Sequence, residues 1–222
     1  MEGKIKRLRD GEVYAYPITV EEAVYVGPDK TLKEKLEPLS IGPSTYLIDI
    51  KKWGITEGLP SKPYQDIDFY RADANIKGIN DAIQYAYDNE MSDVVLPRGE
   101  YAICYPNPIV MRSNITLNLN GSTLRVIYDS DVRSPLDTGN DKTWLFGGNS
   151  IEFRNVHNAH VKNGKIIGEM YNRSFTDPGE VAVEHTYGIS FSESSHFCSV
   201  SQCEVAAYAG DPINFVSHGT VS

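Results

Sequence analysis

The clearest pattern along the chain is a repeat of alternating apolar and polar positions in its second half. Three windows can be aligned, residues 115–124, 159–167 and 198–206, and a further short strand follows each of them. Each window is broken by a tight polar corner, at Asn120-Gly121, Asn163-Gly164 and Gln202-Cys203. Three short strands and one tight corner per repeat predict a right-handed parallel β-helix, with Asn favoured at the corner because it tolerates a left-handed backbone.

The repeats are longer than a bare coil, which needs about 20 to 25 residues. The extra residues fall at 128–149 and 169–187. Both insertions leave the coil after its second strand and return at the third, so we expect them to stack on one edge. The third corner departs from the Asn-Gly pattern, and we predict that it is less regular than the other two.

The segment before the repeats predicts a cap for the β-helix. Ile76, Ile79 and Ile83 recur at helical spacing, with Asp73 or Asn75 as the N-cap and Asn89 near the end. A strand over 94–96, a turn over 97–99 and a returning strand over 101–103 follow. One amphipathic helix beside a few strands is typical of a lid over an apolar end.

The first 46 residues have a different pattern. They hold two short capping-box segments, Thr19-x-x-Glu22 and Thr31-x-x-Glu34, each one to three turns long. Isolated helices of that size are marginal in water, so they must pack on something else. We therefore predict an extended, partly helical attachment arm whose apolar contact is made by Leu32, Leu36 and Leu39.

Composition and charge narrow the possible partners. Acidic residues outnumber basic ones by 30 to 21, and the net charge of −9 repels nucleic acids and anionic membranes. No stretch approaches the about 20 apolar residues of a spanning helix, and no apolar segment follows the basic start, so we expect neither a membrane span nor a cleavable signal. The three cysteines lack zinc-site spacing and are expected to be reduced; we predict no metal and no cofactor.

Five segments are informative when they are taken together: Leu47-Ile-Asp-Ile-Lys-Lys-Trp-Gly, Lys77-Gly-Ile-Asn-Asp-Ala-Ile, Val94-Val-Leu-Pro-Arg-Gly-Glu-Tyr101, Ile115-Thr-Leu-Asn-Leu-Asn-Gly121 and Val161-Lys-Asn-Gly-Lys-Ile-Ile-Gly168. Over about residues 47–217 they resemble the pectate-lyase-like β-helix of bacteriophage tailspikes and neck appendages. The upstream segments, residues 16–25 and 31–36, are similar to the virion-attachment arms of phages that infect Gram-positive bacteria.

This resemblance implies an all-β protein with three parts: an attachment arm over 1–46, a capping strand-helix-strand unit over 47–104, and the first three β-helix coils over 105–222. It implies a homotrimer on the virion, assembled in the host cytoplasm and docked on a collar, head or baseplate protein. Such proteins adsorb to, and often cleave, a cell-envelope glycan such as wall teichoic acid. Because the last coil has no cap, we expect this chain to be part of a longer polypeptide or to be covered by another chain.

Candidates for glycan cleavage are few. Such chemistry usually needs two carboxylates about 5 to 9.5 Å apart, and Asp211 could pair with Glu184 or Glu169 from the preceding insertion. The alternative is that Asp211 only opens the third strand through an Asx turn before Pro212. We expect any cleavage to be carried outside these residues.

The insertions offer a more informative binding surface. Flat rings beside polar groups suit a sugar, which has an apolar face and a rim of hydroxyls. The candidate glycan-binding residues are Tyr128, Trp144, Tyr171, Tyr187 and Arg173. The alternative is that these rings bury the insertions against the β-helix or a neighbouring subunit. Two other functions stay open: a free-standing pectin-type lyase or hydrolase, and a structural collar component without sugar affinity.

Overall fold

A computed structural model describes residues 45–129, 135–136, 148–173 and 186–216. The chain divides into two units, Met1–Gly42 and Pro43–Ser222, and all described residues lie in the second. The predicted docking residues Leu32, Leu36 and Leu39 lie outside the described residues, as do Trp144 and Glu184.

The described part of the chain is mostly β. Its strands are β1 (Thr45–Leu47), β2 (Asp93–Val95), β3 (Glu100–Ile103), β4 (Ile109–Val110), β5 (Thr116–Asn118), β6 (Thr123–Val126), β7 (Gly148–Arg154), β8 (His160–Ile167), β9 (Thr186–Ser192), β10 (Ser199–Ala206) and β11 (Ile213–Val216). Within these residues there is one α-helix, α1 (Asp66–Asp88), and one 3₁₀ turn, Met170–Asn172.

All strand pairs in the described residues are parallel, and they form three stacks. The first sheet runs through β1, β2, β5 and the start of β8 and β10; the second runs through β3, β6 and the end of β8 and β10. The third sheet is β4, β7, β9 and β11. Successive strands visit the three sheets in turn, which agrees with the β-helix-like architecture that the sequence predicts.

The corner between the first and second sheets repeats from rung to rung. Asn120, Asn163 and Gln202 all have left-handed backbones, with φ of 52°, 61° and 54°. The prediction that the third corner is the irregular one is wrong, because β10 continues through Gln202 just as β8 continues through Asn163, whereas β5 and β6 are separate strands. The Asn163 amide donates to Asn118 Oδ1 at 3.2 Å.

Two sequence predictions for the cap are also wrong. β2 and β3 do not form a hairpin: β2 pairs with β5, and β3 pairs with β6. The helix begins at Asp66 instead of after Asp73 or Asn75, with Gln65 as the N-cap, although Asn89 is the C-cap as predicted. Asn75 is buried inside the helix, where its amide donates to the carbonyls of Thr56 and Ala102. The proposed divisions at residues 46 and 104 stay predictions.

The helix covers one end of the β stack. Ile76, Ile79 and Ile83 are buried in the same apolar cluster as Leu96 and Tyr101. That cluster continues along the inside of the sheets through Phe153, on which the partly buried Phe191 stacks with ring centroids 4.5 Å apart. Phe215 stacks on Phe191 at 4.9 Å but is 76% exposed. Among the described helices, none has the length and apolar character needed to cross a membrane.

Candidate functional site

Two long excursions of the chain leave the stack at the same border. The first lies between β6, which ends at Val126, and β7; the second lies between β8, which ends at Ile167, and β9. Both therefore leave between the second and third sheets, as the sequence predicts. We call this border the insertion edge, meaning residues 104–108, 127–129, 168–173 and 207–210.

A column of polar residues forms the inner part of the insertion edge. Tyr105, Tyr128, Glu169 and Tyr208 each follow the end of a second-sheet strand by two residues. All four are buried, and Glu169 has no exposed surface. A buried polar group without a hydrogen-bond partner destabilises the fold. The partners of these four side chains therefore determine the structure of the insertion edge.

Glu169 and Arg173 make the central contact of this column. Arg173 Nε and Nη2 donate to Glu169 Oε1 at 2.9 and 2.8 Å, and both side chains are fully buried. The Tyr105 hydroxyl donates to Glu169 Oε2 at 3.0 Å. The Arg173 guanidinium also lies 4.2 Å from the centre of the Tyr128 ring. The contact between Arg173 and Tyr128 therefore joins the first residues of the second excursion to the first residues of the first one.

Tyr208 extends the column to the next rung. Its hydroxyl lies 2.7 Å from Ser150 Oγ. Burial raises the pKa of Tyr208, and burial together with the negative charge of Glu169 raises the pKa of Tyr105 well above its usual range. Both phenols stay protonated at neutral pH and act as hydrogen-bonding partners in the interior.

The structure separates the predicted glycan-binding residues into two groups. Tyr128 and Arg173 are buried and bind each other, so they support the excursions instead of facing solvent. Tyr171, on the 3₁₀ turn between Glu169 and Arg173, is 86% exposed, and Tyr187 in β9 is half-buried. Of the predicted glycan-binding residues that the structure describes, Tyr171 is the most exposed.

The two described catalytic candidates are not in contact. Glu169 is enclosed and bound by Arg173 and Tyr105, whereas Asp211 is exposed and its backbone carbonyl accepts a hydrogen bond from Gly188. In the described contacts, no hydrogen bond or ion pair joins the two carboxylates. A general acid must reach the reacting oxygen, and an enclosed Glu169 does not meet that requirement. The pairing with Glu184 lies outside the described residues.

Tyr105, Ser150 and Tyr208 are parts of this site that the sequence pattern did not predict. Their partners are up to 64 residues away along the chain, so no local motif connects them. A signal was nevertheless present, because Tyr105, Tyr128 and Tyr208 occupy the same place after three of the four second-sheet strands, and Glu169 occupies it after the other. Among the described residues, no group of three or more His, Cys, Asp or Glu side chains is arranged to hold a metal ion.

Comparison with known proteins gives two matches and no matching family model. The chain is 22% identical over 184 residues to YorA, an SPbeta prophage-derived uncharacterized protein of Bacillus subtilis strain 168. The match covers 80% of this chain and 28% of that protein, so the chain spans little more than a quarter of the relative's length. Among solved structures, the A-module of the Azotobacter vinelandii mannuronan C-5 epimerase AlgE4 matches with 14% identity and a TM-score of 0.37, over 71% of this chain and 41% of that one.

Proposed function

We propose that this chain is the virion-attachment and β-helix base of a phage appendage or tailspike that adsorbs to a host cell-envelope glycan. The observation that carries the proposal is the insertion edge: two excursions rooted on one buried cluster, with the exposed Tyr171 above it. The relationship to a prophage-derived protein over most of the chain supports the phage origin. The homotrimer, the virion docking by Leu32, Leu36 and Leu39, and cleavage of the glycan stay predictions.

The geometry of the insertion edge suits sugar binding. A tyrosine ring offers a flat apolar face to a sugar ring, and its hydroxyl can exchange hydrogen bonds with the sugar's hydroxyls. A rigid base lowers the entropy that would be lost when the ring is fixed against a ligand. The Glu169–Arg173 pair and the Arg173–Tyr128 contact supply that rigidity one turn of chain away from Tyr171.

The test measures how much of the recombinant chain is retained on purified Bacillus subtilis cell walls. These walls are the first probe because the prophage relative comes from that species. We expect the wild-type chain to be retained and the Tyr171→Ala variant to bind about tenfold more weakly, a loss of about 1.4 kcal/mol. Tyr70→Ala is the matched control, because Tyr70 is 51% exposed but lies on α1.

The same incubation separates the alternative functions. Release of reducing ends would show a glycan-cleaving enzyme, and retention without release would show a binding module. Absence of retention on cell walls, on purified wall teichoic acid and on wall polysaccharide would contradict the proposal and favour a structural collar component.

A further inference from the structure

Three aromatic side chains meet where β1 and the turn after it pack against α1. Tyr46 lies in β1, Trp53 in the turn and Tyr85 in the helix. The Tyr85 ring centroid lies 5.0 Å from that of Tyr46 and 5.8 Å from that of Trp53, and Trp53 Nε1 donates to the Tyr46 hydroxyl at 2.7 Å. All three side chains are half-buried, so part of each ring reaches the surface. We call Tyr46, Trp53 and Tyr85 the aromatic box.

A cation of the chain itself occupies the aromatic box. The Lys52 ammonium nitrogen lies 4.0 Å from the centre of the Tyr85 ring and 4.4 Å from the centre of the Trp53 ring. Both distances are well inside the about 6 Å over which a ring face attracts a cation. None of the ion pairs among the described residues involves Lys52. The rings therefore hold this ammonium group without the help of a carboxylate.

The other cations that lie over rings in the described residues are held differently. Arg173 and Lys62 each lie over one tyrosine ring, and each also contacts a carboxylate, that of Glu169 at 2.8 Å and that of Asp129 at 3.8 Å. The carboxylate can position those two side chains without the ring. At Lys52 the ring faces are the attracting groups, so the aromatic box is a cation site in its own right.

Backbone contacts fix the aromatic box before any ligand arrives. Asp49 Oδ1 accepts hydrogen bonds from the backbone N–H groups of Lys51 and Lys52, at 3.0 and 3.2 Å, and so shapes the turn. Gly78 lets the turn approach α1, because a Cβ atom at this position would collide with the Trp53 carbonyl oxygen. A preformed site loses little conformational entropy when it binds a ligand.

The chemistry of the aromatic box selects the kind of cation that can replace Lys52. A lysine ammonium is compact, strongly hydrated and carries three N–H donors. In the described contacts its nitrogen makes no hydrogen bond, and its side chain is exposed, so it can swing into water on its flexible stem. A quaternary ammonium group has no N–H donor to leave unsatisfied, and aromatic cages are the usual sites that recognise it.

We propose that the aromatic box binds a quaternary ammonium group in the place that the Lys52 ammonium occupies. Lys52 is then a tethered competitor, which such a ligand must displace. This inference goes beyond the proposed function, because it adds a cationic class of ligand at residues that are not part of the insertion edge.

The test titrates the folded chain with tetramethylammonium chloride and follows the fluorescence of Trp53. Trp53 and Trp144 are the two tryptophans of the chain, so the titration uses a Trp144→Phe background in which the signal comes from the box. We expect a saturable change. Ammonium chloride at the same concentrations should give a much smaller one, because that ion is more strongly hydrated. The methyl NMR signal of tetramethylammonium, which broadens on binding, measures the same affinity for the chain with both tryptophans.

Lys52→Ala removes the tethered competitor and leaves every ring in place. The affinity for tetramethylammonium should rise about two- to fivefold, which is the equilibrium constant of an exposed cation–π contact. Lys51→Ala is the matched control. Lys51 is the neighbouring exposed lysine and lies over no ring in the described contacts. Its removal deletes the same charge and should leave the affinity unchanged.

Tyr85→Leu keeps an apolar side chain on α1 but removes one ring face. Its affinity for tetramethylammonium should fall about fivefold. Tyr85→Phe keeps the ring face and should bind within about twofold of wild type, so the pair separates the ring from its hydroxyl. Because Tyr85 also packs on Tyr46, the decisive variant is Lys52→Ala.

An affinity of Lys52→Ala that is unchanged or lower would overturn the proposal, because it would show that the lysine does not occupy the ligand's place. An equal gain from Lys51→Ala would also overturn it, as an effect of net charge alone. So would a fluorescence change that does not saturate or that ammonium chloride reproduces. The titration contains no wall glycan, so its failure would leave the proposed function standing, and failure to bind cell walls would leave the aromatic box standing.

Discussion

At the scale of single residues, the buried ion pair is the feature on which the insertion edge depends most. Glu169 and Arg173 are both fully enclosed, and the carboxylate is shared with the Tyr105 hydroxyl. Taking two charges out of water is costly, and the pair is maintained only because each charge has a partner. Removal of one partner leaves the other charge buried and uncompensated.

We predict that Arg173→Met lowers the free energy of unfolding by about 3–5 kcal/mol, because it leaves the Glu169 carboxylate without its cation. The double variant Glu169→Gln with Arg173→Met should recover a large part of that loss, since it removes both charges. Urea denaturation measures both effects.

The chain offers a matched control for this pair. Lys77 and Asp81 have the same spacing in sequence and an N–O distance of 2.6 Å, but their side chains are 72% and 44% exposed. Lys77→Met should therefore cost less than about 1 kcal/mol. Equal losses from Lys77→Met and Arg173→Met would show that burial does not set the strength of the Glu169–Arg173 contact.

At the scale of elements, Gly78 illustrates how packing overrides helix propensity in α1. A Cβ atom at this position would collide with the Trp53 carbonyl oxygen and would lie 2.6 Å from Ile55 Cγ1. Alanine stabilises an exposed helix position by about 1 kcal/mol relative to glycine. At Gly78 this gain in helix propensity is offset by the collision with the Trp53 carbonyl, because a backbone atom cannot move aside as the end of a flexible side chain can.

We predict that Gly78→Ala lowers the free energy of unfolding by about 1–3 kcal/mol, the usual cost of overpacking. Ala74→Gly supplies the propensity reference at an exposed position of the same helix and should cost about 1 kcal/mol. Both are measured by chemical denaturation. A more stable Gly78→Ala variant would mean that the segment from Trp53 to Ile55 can move away from the helix at little cost.

The elements also show which parts of the fold could be predicted from sequence. The repeated windows predict parallel rungs because apolar alternation recurs in all three and an Asn-Gly corner in two of them. The start of α1 was not predicted because its first two turns are rich in Asp, and their apolar residues Phe69 and Ala72 pack on a separate cluster with Tyr64 and Cys104. The hairpin of β2 and β3 was wrong because short-range turn signals do not report partners such as Val94 and Leu117.

The candidate site was predictable only in outline for the same reason. The place where both excursions leave follows from the repeat, and Tyr171 is predicted from sequence because rings beside polar groups suit a sugar. The burial of Tyr128 and Arg173 depends on Tyr105 and Glu169, which approach only when successive rungs stack.

At the scale of the whole folded unit, the interior holds several groups that must stay protonated. Burial raises the pKa of the Cys104 thiol from 9.0 to about 12. Burial likewise raises the pKa values of four tyrosines above their ordinary 10.0: Tyr64, Tyr101, Tyr105 and Tyr208. In the unfolded chain these groups lose their protons near pH 9 to 10, whereas in the folded unit they keep them.

The folded unit therefore binds more protons than the unfolded chain at alkaline pH, and its stability must fall as the pH rises. The contribution of Cys104 is fully present below pH 9 and is lost as the pH rises towards about 12. We predict that the free energy of unfolding, measured by urea denaturation, falls between pH 8 and pH 10.5, with Cys104 alone contributing about 1.4 kcal/mol per pH unit above 9.

The control is Cys104→Ala, which removes the titration of the thiol. Its unfolding free energy should fall less steeply with pH, and the four tyrosines should account for the fall that remains. An unfolding free energy that stays constant over this range would mean that these groups reach water without unfolding, and it would contradict the packing described around Tyr105 and Tyr208.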